Sequence, residues 1–439
     1  MEPLPLGILD DTFERGSVFT VLPEHRRKHM AVFGTTGSGK TTLIRNAVAW
    51  DISSGLGVTV IDPHGDLVRD IMENHIPRER TNDVIYCNPA DPERSFAINI
   101  LESVDSAARP LAVSQAVEIF HKLYQESWGP RLEDILRNSL FALIEQPQPV
   151  SLAALPKLLS DPDYRAAVLS NVTNPIVLDF FQQNYEQWKD GFREEAISAV
   201  LNKIRAFLTN PLLLSILGQR KSSFDFRWAM DHHKIILVDL SKGAIGEDSA
   251  NLLGSLFVAK EKLAALSRAN QPEHQRQPHV LYVDEAQNFV GDFPSILQEA
   301  RKYALVLVIV TQGIEQLSED AAFAVFTNCA TLVSYRVSGH DAERLKFEFA
   351  TVLPASSLQD MSNYKLYVRT LITDEHNTVR PSGPHVLKAY PPLRKGARDN
   401  HVAAVLRTSR ERFTRPREEV DAAIRRFIAR KYKVRSSAA

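Results

Sequence analysis

Residues 34–42, Gly-Thr-Thr-Gly-Ser-Gly-Lys-Thr-Thr, satisfy the spacing G-x-x-x-x-G-K-[ST] through Gly34, Gly39, Lys40 and Thr41. That pattern suits a phosphate chain. Glycines let a loop fold tightly enough for backbone N–H groups to point inward at phosphate oxygens. Lys40 then reaches the β- and γ-phosphates, and the Thr41 hydroxyl joins the shell of a Mg2+ ion. Gly34, Thr35, Thr36, Gly37, Ser38, Gly39, Lys40, Thr41 and Thr42 are therefore the candidate residues for binding a nucleoside triphosphate.

A cradle binds; hydrolysis needs more. Residues 280–283 form an apolar run that ends in Asp284-Glu285. A strand there brings Asp284 beside the loop to share the Mg2+ shell with Thr41, and leaves Glu285 to polarise the attacking water. The plainer alternative is a pair of acids capping the next helix. Gln312 follows the next apolar run, 305–310, where an amide can touch both the γ-phosphate and the water; a helix-capping role is its alternative. The transition state also needs positive charge, and an arginine supplied in trans contributes on the order of 10³–10⁵ in rate. Arg301 precedes the Gln312 strand, and from the sequence alone it is equally an exposed arginine at a helix end. Asp62 and His64, in Asp-Pro-His-Gly-Asp (62–66), stand where α/β sheets bind ligands, or belong to a plain turn. For Asp66 the turn reading, with its side chain capping the next helix, is preferred.

Elements must hold these residues in place. Residues 30–33 read as a strand leading into the loop, and 41–50, free of Gly and Pro, as a helix. Its N-terminus adds partial positive charge where phosphates sit. Further apolar runs at 58–61, 84–86, 235–238, 280–283, 305–310, 331–335 and 366–371 bring the count to about eight short strands, with 17–22 a further candidate. Separated mostly by helices, they predict an α/β fold with a mostly parallel sheet. Between 101 and 230 the character changes. Ala112, Ala116, Ile119 and Leu123, then Leu132, Leu136, Leu140 and Leu143, then Ile197, Leu201, Ile204 and Leu208 recur at helical spacing, punctuated by prolines. The expected organisation is a nucleotide-binding core in two parts, 1–100 and 231–385, an all-helical insertion at 101–230, and a basic tail at 386–439.

That tail carries eleven Lys/Arg against four acids from Arg407 onward, a local charge near +7. A docked helix with a solvated basic face and a DNA-binding arm both fit it. Arg26, Arg27 and Lys28 read as a solvated turn, with a phosphate or adenine contact as the alternative, and 268–278 as a mobile polar loop. The whole chain of 439 residues has a formal charge of −1, so any DNA contact must be local. Its two cysteines, Cys87 and Cys329, lie outside any metal-ligand spacing and fit a reducing cytoplasm. No apolar run reaches the ~20 residues of a membrane-spanning helix, and acids interrupt the start of the chain. The expectation is a cytoplasmic protein without direct membrane insertion.

Together these residues resemble the HerA/FtsK superfamily of ring-forming DNA-pumping P-loop ATPases, and within it the conjugative coupling-protein branch of type IV secretion. The resemblance rests on Gly-Thr-Thr-Gly-Ser-Gly-Lys-Thr (34–41), Val-Ile-Asp-Pro-His-Gly-Asp-Leu (60–67) and Asp-Ile-Leu-Arg-Asn-Ser-Leu (134–140). It also rests on Asp-Leu-Ser-Lys-Gly (239–243), Val-Asp-Glu-Ala-Gln (283–287), Glu-Ala-Arg-Lys-Tyr (299–303) and Thr-Gln (311–312). It implies a RecA-like core with an all-α insertion, ATP and Mg2+ as cofactors, and a homo-hexameric ring around DNA. By matching position it makes Arg301 the arginine finger for a neighbouring subunit, and Gln312 the glutamine that follows the acidic pair by one strand. In a translocase Gln312 would couple turnover to loops facing the channel; Lys242 is a candidate for such a loop, with a plain surface lysine the preferred reading. Coupling proteins usually begin with transmembrane helices and HerA proteins with a β-barrel; the 29 residues before the first core strand hold neither. Three readings follow: an ATP-dependent DNA translocase in conjugation or mobile-element transfer, a secretion ATPase acting on protein substrates, and a nucleotide-gated adaptor for a relaxase or nuclease. A relaxase, a nuclease and a secretion channel are the candidate partners.

Overall fold

Apolar runs without polar alternation need cover on both faces, which a parallel sheet provides. The computed structural model, which describes residues 1–10, 15–102, 106–289, 293–349, 353–373, 378–393 and 399–432, gathers them into one eleven-stranded sheet. In chain order the strands are β1 (Leu4–Leu9), β2 (Val18–Val21), β3 (Met30–Phe33), β4 (Gly57–Asp62), β5 (Val84–Cys87) and β6 (Ile235–Asp239). They continue with β7 (His279–Val283), β8 (Leu305–Thr311), β9 (Thr331–Ser334), β10 (Lys365–Arg369) and β11 (His385–Ala389). In space they run β2-β1-β11-β10-β9-β3-β8-β7-β4-β6-β5. The seven from β9 to β5 are mutually parallel, and the other four extend the sheet in antiparallel fashion. The expected mostly parallel α/β fold is therefore present.

Burial follows that division. Strands β3, β4, β6, β7, β8 and β9 are buried at every position. Strand β10 buries only Leu366 and Val368 of its five residues, the alternation of a strand covered on one face. The helix after the loop, α1 (Lys40–Ser53), seats Leu43, Ile44, Ala47 and Val48 in the same core as Val32, Val60, Val280 and Val308.

Strands β1 and β11 are additions to the eight expected. Strand β1 reads Leu-Pro-Leu-Gly-Ile-Leu, with a register shift between Pro5 and Gly7 where it meets β2. Pro and Gly disguise it as a turn, whereas at such an irregularity both are tolerated. Its other neighbour, β11, lies almost the whole chain away, and the boundary expected at 386 falls inside that strand.

Arg26 corrects another expectation. Neither a solvated turn nor a phosphate contact, it is buried and donates from NH2 to both Asp51 oxygens at 2.7 and 2.8 Å. Tyr282 Oη donates to the same carboxylate at 2.7 Å. Arg268, in the stretch read as a mobile loop, is likewise buried, donating to the Gln277 and Tyr303 carbonyls and paired with Asp231 at 2.9 Å.

The chain divides into two compact units. The sheet unit comprises Met1–Cys87, Phe226–Ser241 and Ala264–Ser409; the second comprises Asn88–Asp225, Lys242–Leu263 and Arg410–Ala439. The second is thus not the continuous 101–230 segment expected from helical periodicity. Residues 242–263 join it because Lys260 donates to the Asn99 carbonyl at 2.9 Å and Phe257 packs on Phe96. The tail joins it because Arg410 is paired with Asp91 and Glu93. The tail helix Arg417–Ala429 buries Val420 and Ile424, and Lys157 caps its end by donating to the carbonyls of Phe427, Ile428 and Arg430. A docked helix is what the tail forms over its described part; Lys433 and Arg435 lie outside the described residues. Among the described residues no single helix is long and apolar enough to cross a membrane.

Candidate active site

Parallel register brings the candidate residues to one edge of the sheet. Phe33 of β3 pairs with Thr311 of β8, so Gly34 and Gln312 leave the sheet side by side. Val283 of β7 pairs with Ile61 of β4, which places Asp284 and Asp62 at that same edge. Asp62 in turn pairs with Asp239 of β6.

The loop itself is shaped by its glycines and by what lies behind it. Gly37 and Gly39 have φ of 77° and 120°, the region L side chains avoid. A Cβ at Gly34 would lie 2.6 Å from Tyr335 Cβ, so only glycine lets the loop approach that buried ring. Thr35 N donates to the Arg336 carbonyl at 2.8 Å, and Tyr364 N donates to the Ser38 carbonyl at 3.1 Å. The Thr35 and Ser38 hydroxyls are buried with no hydrogen-bond partner among the described residues, whereas Thr36, Gly37 and Thr41 are exposed and Thr42 half-buried. Lys40 lies inside the fold, donating to the Gly34 and Thr35 carbonyls. Burial pushes its ammonium below the usual lysine range, and the Glu285 and Asp284 carboxylates pull it back.

The acids face that lysine from β7. Asp284 is buried, and its carboxyl is pushed up to about 7 by burial and by the charges of Asp62 and Glu285. A neutral carboxyl there becomes a carboxylate when a cation arrives. Glu285 adopts φ 46° and ψ 51°, a left-handed turn that aims its side chain away from the strand. Gln312 Nε2 donates to Glu285 Oε1 at 3.3 Å and Oε2 at 3.2 Å, and Gln287 donates to the same carboxylate. The structure thus brings Lys40, Asp284, Glu285 and Gln312 together. Gln287 stood in the motif 283–287 without a role of its own, and nothing in the sequence singled out Tyr335 or Tyr364, whose roles come from contacts remote in the chain.

The capping expected of Asp66 falls to Asp62, which also stands at the ligand edge. Gly65, at φ 82°, occupies the cap position of α2 (Asp66–Asn74), and exposed Asp66 pairs with Arg69 at 3.3 Å. Asp62 does the capping: Oδ2 accepts from Val68 N at 3.1 Å and Oδ1 from His64 N at 2.8 Å. His64 is exposed at this edge. Lys242, in the second unit, is ion-paired with Glu247 at 2.8 Å.

Arg301 stands elsewhere. It lies in the turn Ala300–Tyr303 before β8, whereas Gln312 follows that strand's last residue. Seven residues at about 3.3 Å each put roughly 20 Å between them. Its charge is felt at buried His29, just before β3, on the edge of the sheet opposite the phosphate loop. Arg301 is exposed and has no ion pair or hydrogen-bond partner for its guanidinium among the described residues.

A glycine-shaped phosphate loop at the head of a helix, with an acidic pair two strands away on a parallel sheet, defines a P-loop NTPase of RecA-like fold. Residues 19–260, over half the chain, match the family described as the central domain of the helicase HerA, and the chain belongs to that family. Residues 278–347 match the family described as the TraM recognition site of TraD and TraG. Among solved structures, the chain is similar to the plasmid coupling protein TrwB in complex with ADP and Mg2+, at 15% identity over 87% of this chain and 90% of that one, with a TM-score of 0.60. It is similar also to VirB4 of Thermoanaerobacter pseudethanolicus, at 14% identity over 91% and 97% of the two chains, with a TM-score of 0.55. At such identities the likeness is one of fold. No curated protein matches its sequence.

Proposed function

We propose that the chain is an ATP-dependent DNA translocase that works as a ring, in conjugative or mobile-element DNA transfer. The observation that carries this reading is the separation within one chain. Lys40, Asp284 and Glu285 occupy one edge of the sheet, and the exposed Arg301 occupies the other. A cation that cannot reach its own phosphate loop is available to a neighbour, and head-to-tail contacts of that kind generate rings where the rotation between neighbours closes.

The residues fit the cofactors. Orphaned hydroxyls at Thr35 and Ser38, the open Gly37 turn and a buried acid raised by burial and its acidic neighbours form a site that fits Mg2+ and a triphosphate. Mg2+ supplies charge neutralisation on the β- and γ-phosphate oxygens when bound. Thr41 and Asp284 would hold it. Lys40 turns from the Gly34 and Thr35 carbonyls to the phosphates. Glu285 orients a water and accepts its proton, held in aim by Gln312 and Gln287. Arg301 of the next subunit stabilises charge on the transferring group. Gln312, touching Glu285, couples the state of the site to the segment that follows β8.

Two measurements test this reading. Arg301→Ala and Lys40→Ala chains are each inactive alone, and mixed together they regain turnover, because one junction joins an intact loop to an intact arginine. No recovery in verified mixed rings argues against action in trans. ATP turnover rises with added DNA; a rate indifferent to DNA of any length removes the translocase. A second reading, an ATPase acting on protein cargo or an adaptor for a relaxase or nuclease, draws on the match of residues 278–347 to the TraM recognition family. It gains where turnover responds to a protein partner and not to DNA.

A further inference from the structure

The second unit holds a cleft of about 740 Å³, built where the tail helix Arg417–Ala429 and the segment before it meet residues 148–151 and 218–223. Its lining is one-signed. Arg220, Lys221, Arg412, Arg415 and Arg426 border it, and no acid does. The acids of the same stretch, Glu411, Glu418, Glu419 and Asp421, are not among the lining residues. Cations so grouped repel one another unless something anionic sits among them.

The state of these side chains sharpens the point. Arg220, Lys221 and Arg415 are exposed, and none has an ion pair or a side-chain hydrogen bond among the described residues. The Arg220 guanidinium lies 5.9 Å from the centre of the half-buried Phe427 ring, which also lines the cleft. A guanidinium against a ring keeps its N–H edge free for acceptors. The floor is fixed. Ser223 Oγ accepts from Ala97 N at 2.8 Å, Ser222 Oγ accepts from Asn99 N at 3.0 Å, and Gly218 lets Ile424 pack against it.

We infer that this cleft binds a short stretch of single-stranded nucleic acid, its phosphodiesters held by Arg220, Lys221, Arg412, Arg415 and Arg426, with a base against Phe427. Stacking on an aromatic ring beside a basic groove is how strands are held without regard to sequence. The volume decides against a duplex: it falls within the roughly 300–1,000 Å³ of small-molecule sites, room for one or two nucleotides. The ring decides against an acidic peptide, which has no use for a stacking surface. This site is separate from the phosphate loop, and its test needs no ATP.

The test is anisotropy of a labelled 12-nucleotide single strand, as DNA and as RNA, titrated with the full chain across a range of salt. Arg220→Glu with Arg415→Glu weakens binding at least about tenfold and lowers the slope of log K against log salt by roughly 1–2, at about 0.7 per phosphate contact. Arg220→Lys with Arg415→Lys retains the slope. The melting temperature of each variant checks its fold, and Arg415→Ala, at a side chain without partners, serves if the double reversal fails to fold, with a several-fold loss expected. Tighter binding of either DNA or RNA supports the site and names its source. Unchanged affinity in folded variants overturns it, as does an equally charged polyglutamate peptide that binds as tightly as the strand. Lys40→Ala retains strand binding, so a failure here is distinct from a failure of DNA-driven turnover.

Discussion

The two edges of the parallel sheet solve opposite electrostatic problems. At the edge where β3, β4, β7 and β8 end, Asp62, Asp284 and Glu285 are crowded together, and the Asp284 carboxyl is held near 7 until a cation relieves it. At the edge where those strands begin, His29 and His279 are buried neutral. His29 accepts from Leu307 N at 3.0 Å, and His279 shares a 2.8 Å hydrogen bond with Thr59. Burial lowers them to about 4 and about 3. One edge is set to receive positive charge, and the other excludes it from its interior while presenting Arg301 outside. In the proposed ring, a chain so polarised would have a donor face and an acceptor face.

The sharpest way to break that contrast is at Arg301. Arg301→Ala is expected to lower kcat by about 10³–10⁵ while leaving nucleotide affinity within about threefold. Steady-state kinetics beside equilibrium nucleotide binding separate the two, and a matched loss of affinity would make Arg301 structural. Glu285→Gln comes next, with turnover down by about 10²–10⁴ and ATP still bound; an active variant removes Glu285 from the base role. Gly34→Ala brings a Cβ to 2.6 Å from Tyr335 and 2.8 Å from Ser38 Oγ. Overpacking of this kind costs about 1–3 kcal/mol, read by denaturant unfolding.

The smallest effects are in pH. A histidine lowered on folding contributes stability above its unfolded value and loses it as pH falls, so His29 and His279 make the protein acid-labile from pH 6.5 toward 4. A carboxyl raised on folding has the other sign. The contribution of Asp284 is complete below the ordinary value of 3.8 and is lost as pH rises through about 7. Asp284→Asn therefore raises the melting temperature of nucleotide-free protein at pH 8 by about a few degrees and leaves it unchanged at pH 3.5. A gain of equal size at both would mean that charge is not the cause.

Much of the nucleotide edge was legible because its information is local. Apolar runs mark the buried strands, and the residue after each run marks the ligand edge, which is how Asp284 and Gln312 were found. What stayed hidden depends on partners far along the chain. Arg26 reads as a surface charge until Asp51 and Tyr282 are beside it, and Arg268 until Asp231 is. Strand β1 reads as a turn until β11 returns to pair with it. The same limit governed the second unit, because Leu252, Leu256, Ala259 and Leu263 recur at helical spacing, which marks a helix but not the unit it joins. Asp66 was misjudged for a subtler reason: with Gly65 in a left-handed turn, the carboxylate that caps α2 is that of Asp62, four residues before the helix begins.

If Arg301 completes only a neighbour's site, catalytic capacity becomes a matter of counting. A lone chain has no complete site, an open string always has one fewer than its members, and closure supplies the last. Turnover per chain then climbs with protein concentration toward a plateau reached only by closed assemblies. In a closed ring, one chain that lacks its arginine lowers the yield by one site at whatever position it stands; at the unused end of an open string it costs none.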